Sequence, residues 1–348
     1  MTKNNLSRRN FIQKSALGMG IGAFMPYHVQ ASNSEKVLNS DPANRLPREV
    51  WIATLGQEGM SATDYKNMVD QVFHSFEEIS QYKPDIICFP EVFPYYMNSV
   101  RSELKNRVNE HYADIIGRFS DYAKANNCYI ICPTYTTENG RSYNAAVLID
   151  RKGKKVGEYR KIHTTTGEMS RGVSPGPLDP PVFKTDFGII GIQICFDMCW
   201  DDGWKNLRKK GAEIVFWPSA YGGGATVNTR AWQNKYCVVS STMKDTTKIC
   251  DITGEVLAST GRWNRRWAVA PVNLEKVFLH SWPYSQRFNE IKAKYGRKVL
   301  ISSYHEEEWS IIESRSPDVK ISDIMKEYEL KTHEEHIAMA DQVQNQSR

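Results

Sequence analysis

The chain has 348 residues, 41% of them hydrophobic, which is ample for one large domain or two smaller ones. Its formal charge is +5, but Lys3, Arg8, Arg9 and Lys14 sit in an N-terminal leader without acids, so the mature chain carries +1. That balance leaves no basic case for nucleic acid or an anionic membrane as partner.

Residues 1–31 read as a leader and not as part of a fold. Ser7-Arg8-Arg9-Asn10-Phe11-Ile12-Gln13-Lys14 is a polar, basic stretch with a twin-arginine pattern, 15–25 is short, Gly-rich and weakly apolar, and Val29-Gln30-Ala31 is a small-residue cleavage site. This is the pattern of a signal read by the twin-arginine (Tat) export machinery, implying a periplasmic or extracellular protein. The alternative, an uncleaved anchor, is disfavoured because the apolar run is too short to span a bilayer. No stable membrane anchor is expected after cleavage.

A polar tether, 32–47, leads to a first strand at 49–55. Across 61–82, Tyr65, Met68, Val69, Val72, Phe73, Phe76 and Ile79 form a helical stripe with Ser61 or Thr63 as cap. A buried strand at 85–89 ends in Pro90-Glu91. A long helix is expected over 100–126, then strands at 128–133, 144–149 and 155–161. A Gly- and Pro-rich loop, 164–181, precedes a buried strand at 187–195. Further elements follow: a helix at 204–209, a strand at 214–217, a loop at 219–224, a helix at 226–234 and strands at 236–241, 249–251, 256–258 and 267–272. Alternation early and hairpins later predict a mixed sheet system covered by helices. From Asn273 to the end the chain is charged with helical patches at 288–295 and 321–330. It reads as an arm on a partner or on the body, or as a partly disordered tail.

Seven cysteines stand at 88, 128, 132, 195, 199, 237 and 250, so at least one is unpaired or intermolecular. Most fall in strand-like runs, as buried thiols do. Cys128 and Cys132, four apart in a strand, would be roughly 13 Å apart, too far to bridge.

Three polar residues share one placement. Glu91 follows the strand at 85–89, Lys161 follows 155–160 and Cys195 follows 189–194. Strand ends in α/β folds converge on the rim that bears sites. The residue types suit one chemistry. A free thiol has a pKa of about 8.5 and is mostly protonated at neutrality. A carboxylate can take that proton, and an ammonium can hold a developing oxyanion. His163 is a weak partner for a papain-like pair and reads as loop structure.

Pro90-Glu91, Tyr159-Arg160-Lys161-Ile162-His163 and Ile194-Cys195-Phe196-Asp197 resemble the three catalytic motifs of the nitrilase superfamily, the carbon–nitrogen hydrolases. The stretches 143–150, 211–214, 218–221, 230–234 and 251–254 resemble the family in order and spacing, so the likeness covers roughly 48–272. It implies a four-layer α-β-β-α sandwich with a Glu-Lys-Cys triad, followed by a C-terminal extension at 273–348. Cys195 would attack a small linear amide, Glu91 would be general base and acid, and Lys161 with the N–H of Phe196 would hold the oxyanion. Glu168 sits where the family has a second glutamate and would position Lys161 or substrate. A nitrile substrate, or acyl transfer to an amine, would use the same triad. The rival from another class is an exported binding protein of the same fold with a spent site. By resemblance the chain is expected to form a homodimer or larger.

Departures from the family pattern bear on substrate. Phe196-Asp197 replaces the Trp-Glu of nitrilases proper and points to amides. Met198-Cys199 stands where carbamoyl-hydrolysing relatives carry arginines, leaving Arg171 as a loop candidate for a carboxylate. Gln233 replaces a glutamate, removing any ion pair made there in relatives. Cys199 reads as structural, with a protective disulfide to Cys195 as the outside alternative. Tyr95, Trp200, Ser219 and Tyr221 are candidate pocket residues, with Tyr96, Trp204 and Trp232 as further aromatics. Gly222-Gly223-Gly224 reads as a flexible loop, a candidate lid, and lacks the strand–helix context of a phosphate cradle. Arg262, Arg265 and Arg266 with Trp263 and Trp267 read as a surface or interface. No HExxH, CxxC or paired-histidine spacing points to a metal, and no cofactor is expected.

Overall fold

The computed structural model describes residues 46–99 and 102–348. The expected export leader, the tether up to residue 45 and positions 100–101 lie outside the described residues.

The strands run in chain order as β1 (Glu49–Leu55), β2 (Ile86–Cys88), β3 (Tyr129–Glu138), β4 (Arg141–Ile149), β5 (Lys155–Arg160), β6 (Val182–Lys184), β7 (Ile189–Ile192), β8 (Ile214–Ser219), β9 (Cys237–Thr242), β10 (Lys248–Cys250), β11 (Val256–Ser259) and β12 (Trp267–Asn273). Among the described residues they form two six-stranded sheets, ordered β12-β1-β2-β3-β4-β5 and β11-β10-β9-β8-β7-β6. Each has three parallel central strands, β1-β2-β3 and β7-β8-β9, with antiparallel flanks.

Register is set locally where the site needs it. Asn139 and Gly140 join β3 to β4 with φ of +51° and +75°. Two positive φ angles make the mirror-image turn whose twist matches the flanking strands. The turn pairs Glu138 with Arg141, and the ladder then pairs Tyr135 with Asn144. Side chains alternate along strands, so those two share one face, also occupied by Ala146 and Leu148.

Helices cover the two outer faces. Helix α1 (Tyr65–Ser80) presents its predicted stripe, with Met68, Val69, Val72, Phe76 and Ile79 buried. Its cap is Asp64, whose carboxylate accepts from Asn67 N at 3.0 Å, and not the expected Ser61 or Thr63. The expected long helix is shorter: a helical turn, Leu104–Asn106, and a π-turn, Arg107–His111, precede α2 (Tyr112–Asn126). With α1 and α2 on one sheet, α3 (Asp202–Lys209) and α4 (Ala225–Asn234) cover the other.

Three apolar layers result. Between the sheets lie Ile52, Ile131, Leu148, Ile192, Phe216 and Val239. Outside the first sheet Phe76 and Phe119 pack on Phe89; outside the second, Trp204, Leu207 and Val227 pack on Trp217. Each such side chain gains about 1.5–3 kcal/mol on full burial, so the layers, not helix propensity, hold the order. The architecture is the expected four-layer α-β-β-α sandwich.

Beyond it the chain builds a third sheet, unforeseen in the sequence: β13 (Lys276–His280), β14 (Val299–Tyr304) and β15 (Trp309–Ser314), ordered β13-β15-β14. Helices α5 (Phe288–Tyr295), α6 (Ile321–Glu327) and α7 (His333–Gln346) accompany it. The segment has its own core, including Leu279, Ile291, Ile312 and Ile324. Lys276 reaches Asp251 at 2.8 Å and Arg208 reaches Glu334 at 2.8 Å, tying it to the sandwich. Trp232 packs edge-on against Trp309 at 5.1 Å and Trp204 is fully buried, so neither joins an aromatic wall at the site.

Candidate active site

Three backbone devices bring the strand-end residues together. Glu91 follows β2, and Val92 turns the chain with φ +37°. Gln57 Nε2 holds that turn by donating to Phe93 O at 2.9 Å. The two sheets are stitched at this rim, where Ser241 Oγ donates to Leu55 O (2.6 Å) and Cys88 O (3.1 Å). Lys161 follows β5, with its N–H on Asn144 O and its carbonyl accepting from Gly176 N, each at 2.8 Å. A Cβ on Gly176 would lie 2.4 Å from Arg160 O, so only glycine lets this loop lie on the lysine.

Cys195 is the third. Strand β7 pairs only to Ile192, although Gln193 N still reaches Phe216 O at 3.0 Å. The cysteine therefore sits on an elbow three residues past the strand. Its φ is +47°, a conformation that costs a non-glycine residue energy and clusters at functional sites. The elbow is held by Asp197, which is fully buried. That carboxylate accepts from Tyr159 Oη (2.6 Å), Ile194 N (2.9 Å) and His163 N (2.8 Å), and pairs with His163 Nδ1 (2.9 Å). One acid thus clamps the cysteine elbow to the loop after Lys161. Trp217 Nε1 adds a bond to Cys195 O at 3.1 Å.

Glu91, Lys161 and Glu168 meet in one buried cluster. Lys161 Nζ lies 2.7 Å from Glu91 Oε1 and 2.9 Å from Glu168 Oε2, with the lysine 1% exposed. Asn144 Nδ2 donates to both carboxylates, each at 2.8 Å. Glu168 is fixed in turn by a capping box, its carboxylate accepting from Thr165 N at 2.8 Å.

The charges set the protonation states. Burial opposes the Lys161 ammonium, but Glu91, Cys195 and Glu168 outweigh it and raise its pKa. Burial likewise opposes the Glu168 carboxylate, and Lys161, Asn144 and Thr165 outweigh that, lowering its pKa. Cys195 is pushed up to about 12, first by burial and then by the Glu91 charge, against the pull of Lys161 and a bond from the Ala220 backbone. The Cys195 thiol is thus favoured in its neutral form beside the Glu91 carboxylate.

The other expected site residues take varied places. Phe196 N is the first amide after Cys195 in the turn Cys195–Cys199. Trp200 stacks on His163 at 3.9 Å and 3° and meets Phe196 edge-on. His163 is thereby committed to Asp197 and Trp200. Tyr221 lies within the fields of Cys195, Cys199 and Glu91, with its hydroxyl raised to about 12, chiefly by burial. Ser219 is fully buried and accepts from Tyr221 N at 3.1 Å. Tyr95 and Arg171 line a neighbouring cavity. All seven cysteines are free thiols, Cys199 being the exposed one. Arg230 pairs with Asp201 at 2.5 Å, the acid that Gln233 cannot supply. Sequence reasoning did not single out Asn144 or Asp197. Among the described residues no group of three or more His, Cys, Asp or Glu could hold a metal ion, and no helix is long and apolar enough to cross a membrane.

Residues 52–279 match the carbon-nitrogen hydrolase family, and the chain belongs to it. Among relatives, a probable hydrolase, YhcX, of Bacillus subtilis is 32% identical over 49% of this chain and 34% of its own length. A deaminated glutathione amidase of Dictyostelium discoideum is 30% identical over 42% of this chain and 55% of its own length. The chain thus spans between a third and just over half of these relatives. An amidase from Nesterenkonia sp. superposes with a TM-score of 0.56 at 18% identity, over 64% of this chain and 90% of the amidase, and so shares the fold.

Proposed function

We propose that the chain is a cysteine amidohydrolase that cleaves a non-peptide C–N bond of a small linear amide through a thioester on Cys195. The observation that carries the reading is the buried cluster itself: Lys161 bridges Glu91 and Glu168, beside the strained Cys195 elbow. Likeness to relatives named as amidases supports the reaction class, and Phe196-Asp197 favours an amide over a nitrile.

In this reading the amide carbonyl points its oxygen at Lys161 Nζ and the N–H of Phe196. Glu91 accepts the thiol proton as the C–S bond forms. It then passes that proton to the nitrogen as the C–N bond breaks, releasing ammonia or an amine and leaving the thioester. A water attacks next; Glu91 takes its proton, the C–S bond breaks and the proton returns to sulfur. Each oxyanion donor contributes about 3–4 kcal/mol to lowering the barrier. Glu168 and Asn144 act by holding Lys161 and Glu91 in place.

Ammonia release from a panel of linear amides and nitriles tests this. Turnover of an amide, abolished in Cys195→Ala, is the expected result; equal turnover in that variant sinks the reading. A protein that binds amides without turning them over would be the spent-site alternative. We also place the mature protein outside the cytoplasm, on the strength of the Ser7–Lys14 pattern, and as a homo-oligomer, on the family likeness. Replacing Arg8 and Arg9 by lysine should trap the precursor inside the cell, and light scattering should give a multiple of the protomer mass.

A further inference from the structure

The turn that begins at Cys195 is held from outside. Strand β8 pairs with β7 as far as Phe216 opposite Ile192, and the next residue, Trp217, points to the opposite face. Its indole is fully buried in the outer apolar layer with Val215 and Val227, and Met198 of the turn joins the same layer. Three side chains of this layer take the turn's carbonyls. Trp217 Nε1 donates to Cys195 O at 3.1 Å, and Trp204 Nε1, on α3, donates to Asp197 O at 3.2 Å. Arg230 Nη2, on α4, donates to Met198 O at 2.7 Å. These carbonyls thus face the outer layer.

The bond at Cys195 O bears on the next amide. The peptide joining Cys195 to Phe196 is trans, so its carbonyl and its N–H point in opposite directions within one plane. With the carbonyl on Trp217, the Phe196 N–H is turned away from the outer layer, and it has no acceptor among the described residues. An unspent backbone donor beside Cys195 is what a developing oxyanion needs. The same plane rotated half a turn would offer an oxygen there instead. The Cys195 φ of +47° is a sparsely populated conformation that surrounding contacts must hold. Gly223 secures the indole in turn. At φ +69° it lies so close that a Cβ would come within 2.8 Å of Trp217 Cη2 and Cζ3. Tyr221 packs edge-on against the ring at 5.2 Å. The Gly222-Gly223-Gly224 run therefore serves close packing over Trp217.

We infer that Trp217 is a positioning residue for the hydrolysis: through the Cys195 carbonyl it fixes the direction of the Phe196 N–H, and Gly223 keeps its indole in place. The inference rests on the amidohydrolase reading and adds to it a residue that touches neither substrate nor the reacting atoms. Its effect falls where charge appears. The amide oxygen of bound substrate asks little of the donor, whereas the oxyanion formed as Cys195 attacks asks much more. Accepting a bond also polarises the peptide and strengthens the N–H on its far side. Loss of the indole N–H should therefore lower kcat and leave KM close to its value. Trp204 supplies the control. Its bond goes to Asp197 O, two peptides further along, so it supports the turn without touching the plane that carries the Phe196 N–H.

Steady-state hydrolysis of the linear amide that wild type turns over fastest, together with binding of propanal carrying an NMR-active carbonyl carbon, tests this. An aldehyde adds to the thiol as the attack step does. The C–S bond forms and the thiol proton passes to the aldehyde oxygen, which takes the oxyanion's place. The hemithioacetal resonance reports on that place without turnover, and Cys195→Ala is the blank. In Trp217→Phe, kcat should fall about ten- to hundredfold with KM within about twofold, and propanal affinity should fall by about the factor lost in kcat. Gly223→Ala, which pushes the indole off the carbonyl, should show the same pattern and decides the matter where the phenylalanine variant fails to fold. Trp204→Phe should lower the melting temperature and leave propanal affinity within about twofold. Folded Trp217→Phe or Gly223→Ala protein with kcat and propanal affinity within about twofold of wild type overturns the inference. So does an equal loss of propanal affinity in Trp204→Phe, which would mark packing as the cause. Wild type that turns over no amide, yet binds propanal at Cys195 in a Trp217-dependent way, defeats the hydrolase reading and leaves the positioning role.

Discussion

Asn144 gives the sharpest mutational test, because its two isosteric and truncating replacements separate electrostatics from packing. Its amide donates to Glu91 and to Glu168, each at 2.8 Å. A hydrogen bond to a charged group contributes about 1.5–3 kcal/mol. Asn144→Ala loses both, and the part that falls on Glu91 corresponds to about a ten- to 150-fold loss in kcat. Asn144→Asp keeps the shape and adds a third carboxylate around a single ammonium. Two unit charges at that separation repel by about 6 kcal/mol at an effective dielectric of about 20, so the new acid must hold a proton to be tolerated. Packing alone would rank Asp above Ala. The electrostatic account ranks Asp below Ala at pH 8, with Asp recovering relative to wild type as pH falls toward 5 and its protonated oxygen donates. Steady-state ammonia release across pH 5–8, with melting temperatures as a folding control, reads this out. Asp equal to or better than Ala at pH 8 would refute the reasoning.

Asp197→Asn turns an amide donor toward Ile194 N or His163 N, so about 3 kcal/mol of stability should be lost and turnover should fall with it; an unchanged melting temperature in calorimetry counts against the clamp. Glu168 has a folded pKa below its unfolded value, so its stabilisation is present above the unfolded pKa, about 4.3, and is lost as pH falls through the folded value. The urea stability of wild type over Glu168→Gln should therefore shrink from pH 7 to pH 3, and a difference that does not change with pH contradicts the ion cluster. In the native protein Ellman's reagent should titrate one thiol fast, the exposed Cys199, and Cys199→Ser should remove that phase while leaving the slower ones.

Much of the candidate site is legible in the sequence. Glu91, Lys161 and Cys195 each follow an apolar run, and three reactive types at strand ends point to one rim. Asn144 was hidden because the apolar residues after it dominate its stretch, and its role depends on register. The signal was present in Asn139-Gly140, which sets the hairpin and so the face Asn144 occupies. Asp197 passed as part of a motif; its work is visible only once His163 and Tyr159, distant in sequence, close on it. The strand before Cys195 was read too long, since an apolar run does not reveal where pairing stops. In the C-terminal segment the apolar core of β13 is Val277-Phe278-Leu279, too short to announce a strand amid charges.

The central claim is a covalent intermediate on Cys195. Acid-quenching wild-type protein during turnover of an amide from the panel that it hydrolyses, and mapping its peptides by mass spectrometry, tests it most directly. The account predicts an added mass equal to that of the amide less ammonia on the peptide containing Cys195, labile to hydroxylamine and absent in Cys195→Ala. Undiminished turnover by Cys195→Ala, or an acyl mass found on Cys199 alone, would contradict it.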